Sequence, residues 1–156
     1  MPRRAIICCF SLMLFTSGFG QAQSIRAQIK PERSVVRSKE ELTLDAVLRN
    51  TGSKDQSLVV LACGYDGQWL PDNDAVEMGG VPCLQNAQQV VKLKPGEVYA
   101  KQISLWLRLP PDFMGRKQIT FRLGFHSGGF VVRRDRQKSP LIWSNPVTVT
   151  VIPGTR

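Results

Sequence analysis

Residues 41–53 read ELTLDAVLRNTGS, and their reading decides the fold. Leu42, Leu44, Ala46 and Leu48 alternate with Thr43, Asp45 and Val47. A period of two with one apolar face is the pattern of a half-buried β-strand, because successive side chains leave a pleated backbone on opposite faces. Asn50, Thr51, Gly52 and Ser53 then supply the short polar and glycine residues of a turn.

Working outward, the same pattern recurs. SIRAQI (24–29) precedes it, and QSLVVLAC (56–63) follows as a short apolar run rich in β-branched residues. QQVVKL (88–93) comes next. VYAKQISLWLRL (98–109) puts Ile103, Leu105, Leu107 and Leu109 on one face. KQITFRLGF (117–125) does the same with Ile119, Phe121, Leu123 and Phe125, and PVTVTVI (146–152) with Val147, Val149 and Val151. No stretch carries a helical period, and Pro and Gly punctuate the strands. Seven short strands with turns between them predict an all-β chain, a single antiparallel sandwich.

Several of these runs resemble bacterial exported immunoglobulin-like domains. LTLDAVLRNTGS is similar to their second strand and the Asn-x-Gly turn after it. LKPGEVYAKQISLWL resembles their Leu-x-Pro-Gly-Glu turn leading into a strand, with Leu93, Pro95, Gly96 and Glu97 in those positions. GRKQITFRLGF and NPVTVTV fit the last two strands. The order is similar to that of CARDB and BsuPI-type cell-envelope domains over Ile25 to Ile152. The resemblance implies an immunoglobulin-like sandwich. BsuPI-type members are associated with proteinase inhibition, but no reactive-loop motif carries that activity over. The departures are the close cysteine spacing and a tryptophan, Trp69, that lies between the cysteines in sequence.

The chain opens MPRRAIICCFSLMLFTSGFGQAQS. Arg3 and Arg4 form a positive start, Ala5 to Gly20 is an uncharged apolar run, and Gly20 and Ala22 place small residues where a signal peptidase cuts. The run rises about 24 Å as a helix, short of the roughly 30 Å hydrocarbon core. Residues 1–22 therefore read as a cleaved secretory signal peptide and 23–156 as one domain, with no membrane-spanning segment after cleavage. Of 21 Lys and Arg, Arg3 and Arg4 leave with the peptide, so 19 basic residues face 12 acids and the charge falls from +9 to +7. The expected location is the periplasm, cell envelope or exterior.

Export decides how the cysteines are read. Cys8 and Cys9 leave with the peptide, and the two that remain, Cys63 and Cys83, are expected to pair outside the reducing cytosol. Structural zinc wants four soft or imidazole ligands at short spacing. The chain offers two cysteines and one distant histidine, His126. A cysteine nucleophile would need a base, and only His126 is on offer. Asp66, Asp72, Asp74 and Glu77 are hard oxygen donors that leave calcium open, although DNDAVE lacks the spaced acids and central Gly of an EF-hand loop. No cofactor is expected.

Hydrolase, zincin and nucleotide-binding signatures are missing from the sequence. His126 reads as a partly exposed histidine at a strand end. The chain is thus expected not to be an enzyme. It reads as a binding or structural module of the bacterial envelope, acting through loops or an edge strand. The alternative is an inhibitor or accessory factor of an exported enzyme.

Two candidate contact regions stand out. Arg133, Arg134, Arg136 and Lys138 crowd a predicted hairpin end, where they would be either a solvated surface or a contact for an acidic protein or an anionic envelope surface. Tyr65, Trp69 and Leu70 in the cysteine-bracketed loop are the aromatic and apolar residues that protein interfaces favour. Nucleic acid is not an expected partner, because no aromatic stacking pattern accompanies the basic run.

Overall fold

The computed structural model describes residues 24–63, 67–80, 87–110, 113–127 and 141–154. The described residues hold twelve strands and no helix. All seven runs predicted from alternation form strands. They are β1 (Ile25–Pro31), β3 (Glu41–Asn50), β4 (Gln56–Leu61), β7 (Gln88–Leu93), β8 (Val98–Leu107), β9 (Lys117–Phe121) with β10 (Leu123–His126), and β12 (Val147–Ile152). Four further strands of three residues each escaped the sequence reading: β2 (Val35–Arg37), β5 (Trp69–Pro71), β6 (Val76–Met78) and β11 (Leu141–Trp143). Three residues are too few to show a period.

One sheet runs β1-β3-β8-β6. Its centre is the ten-residue pair β3 and β8, with Leu42 opposite Leu105 and Leu44 opposite Ile103. The predicted inner residues Leu42, Leu44, Ala46 and Leu48 are all buried, while Asp45 and Arg49 are exposed. The opposing layer contains β2-β12-β9 and β11-β10-β5. Its inner side chains include Ile119, Phe121, Leu123, Phe125, Val149 and Val151, and they join those of the first sheet in one core. This is an all-β sandwich-like fold.

The run predicted as one strand over 117–125 is two, separated by Arg122. The break marks a change of neighbours. β9 pairs with β12, whereas β10 pairs with β11 on one side and β5 on the other. At the junction the Ser144 hydroxyl accepts the Leu123 N–H, and Pro146 has no N–H to offer a ladder. The sheets are not wholly antiparallel, because β2 runs parallel to β12 with Val36 opposite Val151. The N-terminal segment thus crosses from one layer to the other between β1 and β2.

The two motifs that carry the family resemblance meet in space. Lys94 to Glu97 form a turn closed by Glu97 N–H donating to the Lys94 carbonyl, with Gly96 at φ 83°. Pro95 presets its own φ, and glycine takes the left-handed position without a Cβ clash. Asn50 is fully buried beside this turn. Its amide donates to the Lys54 and Leu93 carbonyls, and its side-chain oxygen accepts the Gly52 N–H. One buried amide therefore organises the end of β3 and ties it to the end of β7.

Candidate functional site

Between Cys63 and Cys83 the chain does more than form an exposed loop. Trp69 opens β5, is only 4 % exposed, and tilts against Phe125 with ring centroids 5.0 Å apart. Its expected role as a surface anchor is therefore corrected: the side chain lies in the core. Leu70 is half-buried on the other face of β5, opposite Gly124 of β10. A Cβ on Gly124 would stand 3.1 Å from both Leu141 Cδ1 and Trp143 Cζ3, so Leu141 and Trp143 lean over the space a side chain would occupy. Trp143 also lies under the Arg122 guanidinium, 5.2 Å from the ring centre, and stays part-exposed.

Cys63 follows directly on β4 and is half-buried. Lys101 of β8 reaches the same point, donating to the Leu61 and Ala62 carbonyls at 3.1 Å each. Partial burial holds its ammonium below the usual lysine range. Cys83, Tyr65, Arg133, Arg134, Arg136 and Lys138 lie outside the described residues.

The acids are dispersed over the surface. Asp72 accepts the Arg122 backbone N–H at 2.7 Å and its guanidinium Nε at 2.9 Å. Burial acts to raise the Asp72 pKa, but these hydrogen bonds and the arginine charge outweigh it and hold the carboxyl below its ordinary value. Glu77 pairs with Arg108 at 2.6 Å, both well exposed. Among the described residues no group of three or more His, Cys, Asp or Glu converges as metal ligands would. Asp66 lies outside them. His126 does end a strand, as expected, but it is 5 % exposed rather than partly exposed. A cleft of about 240 Å³ beside β1 and β4 is lined by Ser24, Gln56, Ser57 and Ser127 with apolar neighbours, and among the described residues no titratable side chain lines it.

What the tertiary structure reveals, and the sequence did not, is how the strand edges are treated. The Asn145 side chain accepts the Ile29 N–H at 2.9 Å and donates to the Ile29 carbonyl at 3.1 Å, occupying the open side of β1. Gln68, 3 % exposed, accepts the Leu61 N–H at 2.7 Å and donates to the Val59 carbonyl at 2.8 Å, occupying the open side of β4. Asn73 donates to the Thr120 carbonyl on the open side of β9. In each case an amide side chain takes ladder positions that a neighbouring strand would otherwise fill. The outer strands β2, β5, β6 and β11 have only three residues each. No local pattern announces such caps, because each residue serves a strand remote in sequence or beyond a loop.

β7 is treated differently. It has six residues, pairs only with β4, and bears no amide cap among the described residues. Gln88, Gln89, Val90 and Lys92 are exposed, Val90 to 66 %. The ladder phase is set by two observations. Ala62 N–H donates to the Ala87 carbonyl, while Val59 and Leu61 turn their backbone groups away from β7, to Gln68. Opposed pairs in an antiparallel ladder alternate between bonded and non-bonded. Gln89 and Val91 therefore bond to β4, and Gln88, Val90 and Lys92 present N–H and C=O to the open side.

No family model matches the chain, and neither does any curated protein. Among solved structures, the β-glucosidase EmGH1 of Erythrobacter marinus is similar at 17% identity with a TM-score of 0.41, over 83% of this chain. The chain spans 15% of the length of that protein, and likeness at this level carries no functional argument.

Proposed function

We infer that the chain is a non-catalytic binding module of the bacterial cell envelope: an exported, immunoglobulin-like sandwich of the CARDB and BsuPI kind that holds a protein or anionic envelope partner. The observation that carries this reading is the use made of its buried polar side chains. Asn50, Gln68 and Ser144, three of the four buried polar side chains among the described residues, are committed to strand backbone, so most of the polar chemistry inside the molecule serves the framework and recognition is left to the surface. Export would remove residues 1–22. A Cys63–Cys83 disulfide would then close the segment carrying β5 and β6. The basic run at Arg133, Arg134, Arg136 and Lys138 would add a positive field that favours acidic partners.

The test is affinity capture from envelope extract using the exported chain, with intact-mass analysis of the bait. The reading requires a bait that begins at Gln23, contains one disulfide and retains a partner in stoichiometric amount. Substrate turnover by the bait would overturn it, and so would failure to retain any envelope component at low salt.

A further inference from the structure

We propose that β7 is a docking edge, and that its occupant is an extended, acidic segment of another protein, added as a strand beside Gln88 to Lys92. The proposal rests on the binding-module reading and names its contact surface. Soluble proteins shield strand edges because an open ladder recruits any extended chain. This molecule shields β1, β4 and β9 with Asn145, Gln68 and Asn73. β7 is longer than the other outer strands without a cap, and among the described residues only Lys92 guards it.

Its surface also suits an incoming strand. Gln88, Val90 and Lys92 turn their backbone groups outward, so three ladder positions are available in sequence. Val90 is exposed beside the half-buried Val59 directly opposite, giving an apolar contact for one side chain of the newcomer. Main-chain bonds supply affinity in this mode, and alternate side chains supply selectivity.

Charge selects the occupant. Lys92 lies on the edge and Lys94 follows it, both exposed, in a chain of net charge +9, which is +7 once Arg3 and Arg4 leave with residues 1–22. A second copy would bring the same positive charge to the same edge. An acidic segment is drawn to it instead, and salt weakens that attraction.

The probe is a synthetic peptide alternating valine or threonine with glutamate. Two controls accompany it: the same peptide with alternate amides N-methylated, and a version with lysine in place of glutamate. Binding is followed by NMR titration and amide hydrogen exchange on the full exported chain. Exchange at Gln88, Val90 and Lys92 slows when the acidic peptide binds, while both controls bind at least about tenfold more weakly. V90P removes one outward N–H and no bond to β4, so it keeps the dispersed spectrum of the parent and loses the peptide.

Protection elsewhere on the surface, equal binding of the N-methylated peptide, or undiminished binding by V90P would each overturn the proposal. A concentration-dependent dimer abolished by V90P would also overturn it, by making a second copy the occupant. If V90P still captures the envelope partner as well as the parent chain does, the edge assignment fails while the binding-module reading stands. If the parent captures none, the reading itself fails.

Discussion

Gln68 shows what a single side chain can be asked to do. It sits within the core, 3 % exposed, and its amide meets the Leu61 N–H, the Val59 carbonyl and, at 3.3 Å, the His126 carbonyl. Its own carbonyl accepts the His126 N–H. The side chain thus joins β4 to β10, two strands of different sheets. Replacing it by leucine keeps the bulk and strands two inward backbone groups. Gln68→Leu should cost about 2–6 kcal/mol, from an unmet group penalty of roughly 1–3 kcal/mol each, read from urea unfolding. A loss below about 0.5 kcal/mol, the level of an ordinary surface change, would show that water takes over both bonds.

Asp72 is the residue whose effect depends on pH. Although burial works against it, the Arg122 bonds keep its carboxyl below its unfolded value. A depressed folded pKa contributes stability above the unfolded pKa, and that stability is lost as pH falls through the folded value. Asp72→Asn should therefore be less stable than the parent at neutral pH. The gap should narrow as pH falls below about 4, where an unperturbed aspartate takes up its proton. Urea midpoints at pH 7, 4 and 2.5 measure it; an unchanging gap would mean that the charge on Asp72 contributes nothing. The side chain is 26% exposed, so solvent screening keeps the effect modest. Neither role was legible beforehand. Gln68 and Asp72 lie in a Gly- and Asp-rich stretch that reads locally as solvated turn, and their partners are 58 and 50 positions away at the furthest.

At the scale of elements, the three amide caps divide the strand edges into closed and open. Asn145 follows β11 and closes β1 at Ile29 across 116 positions of chain. Asn145→Ala should lower stability by about 1–2 kcal/mol, one modest net hydrogen bond at a time. It should also expose a ladder position on a seven-residue strand. Light scattering on warming should rise earlier than in Ile142→Val, a core change of similar cost, about 0.5–1.5 kcal/mol. If the two variants aggregate alike, overall destabilisation and not the opened edge is responsible. The strands themselves were readable wherever five or more alternating residues occur. Each such run formed a strand, and the inner faces of β3 and β12 were assigned residue by residue. The three-residue strands and the break at Arg122 were not readable, since they depend on which neighbour is present rather than on the strand's own pattern.

For the whole molecule, the segment between the cysteines matters most. β5 pairs with β10 in one layer and β6 with β8 in the other, so the short chain between them links the two sheets. The stretch read from the sequence as a cysteine-bracketed loop therefore contains two strands, β5 and β6. Closing a loop of this length contributes roughly 3 kcal/mol in the chain-entropy model. Replacing both cysteines by serine should lower stability by about that amount. In native-state hydrogen exchange the loss should be largest at Trp69 to Pro71 and Val76 to Met78. A uniform loss across all strands would argue that the proposed Cys63–Cys83 bond acts only on the unfolded chain.

The sequence by itself determined the strand faces and the sharp turns. Pleat alternation and the φ limits of Pro95 and Gly96 are properties of the local backbone, legible without knowing any neighbour. Only the tertiary structure decided that β2 lies parallel to β12, that Trp69 and His126 are buried, and that three amides seal three edges while β7 stays open among the described residues. The physical reason is that burial and edge closure are made by groups distant along the chain. A residue's own type sets which bonds it can form, but the fold supplies the partner.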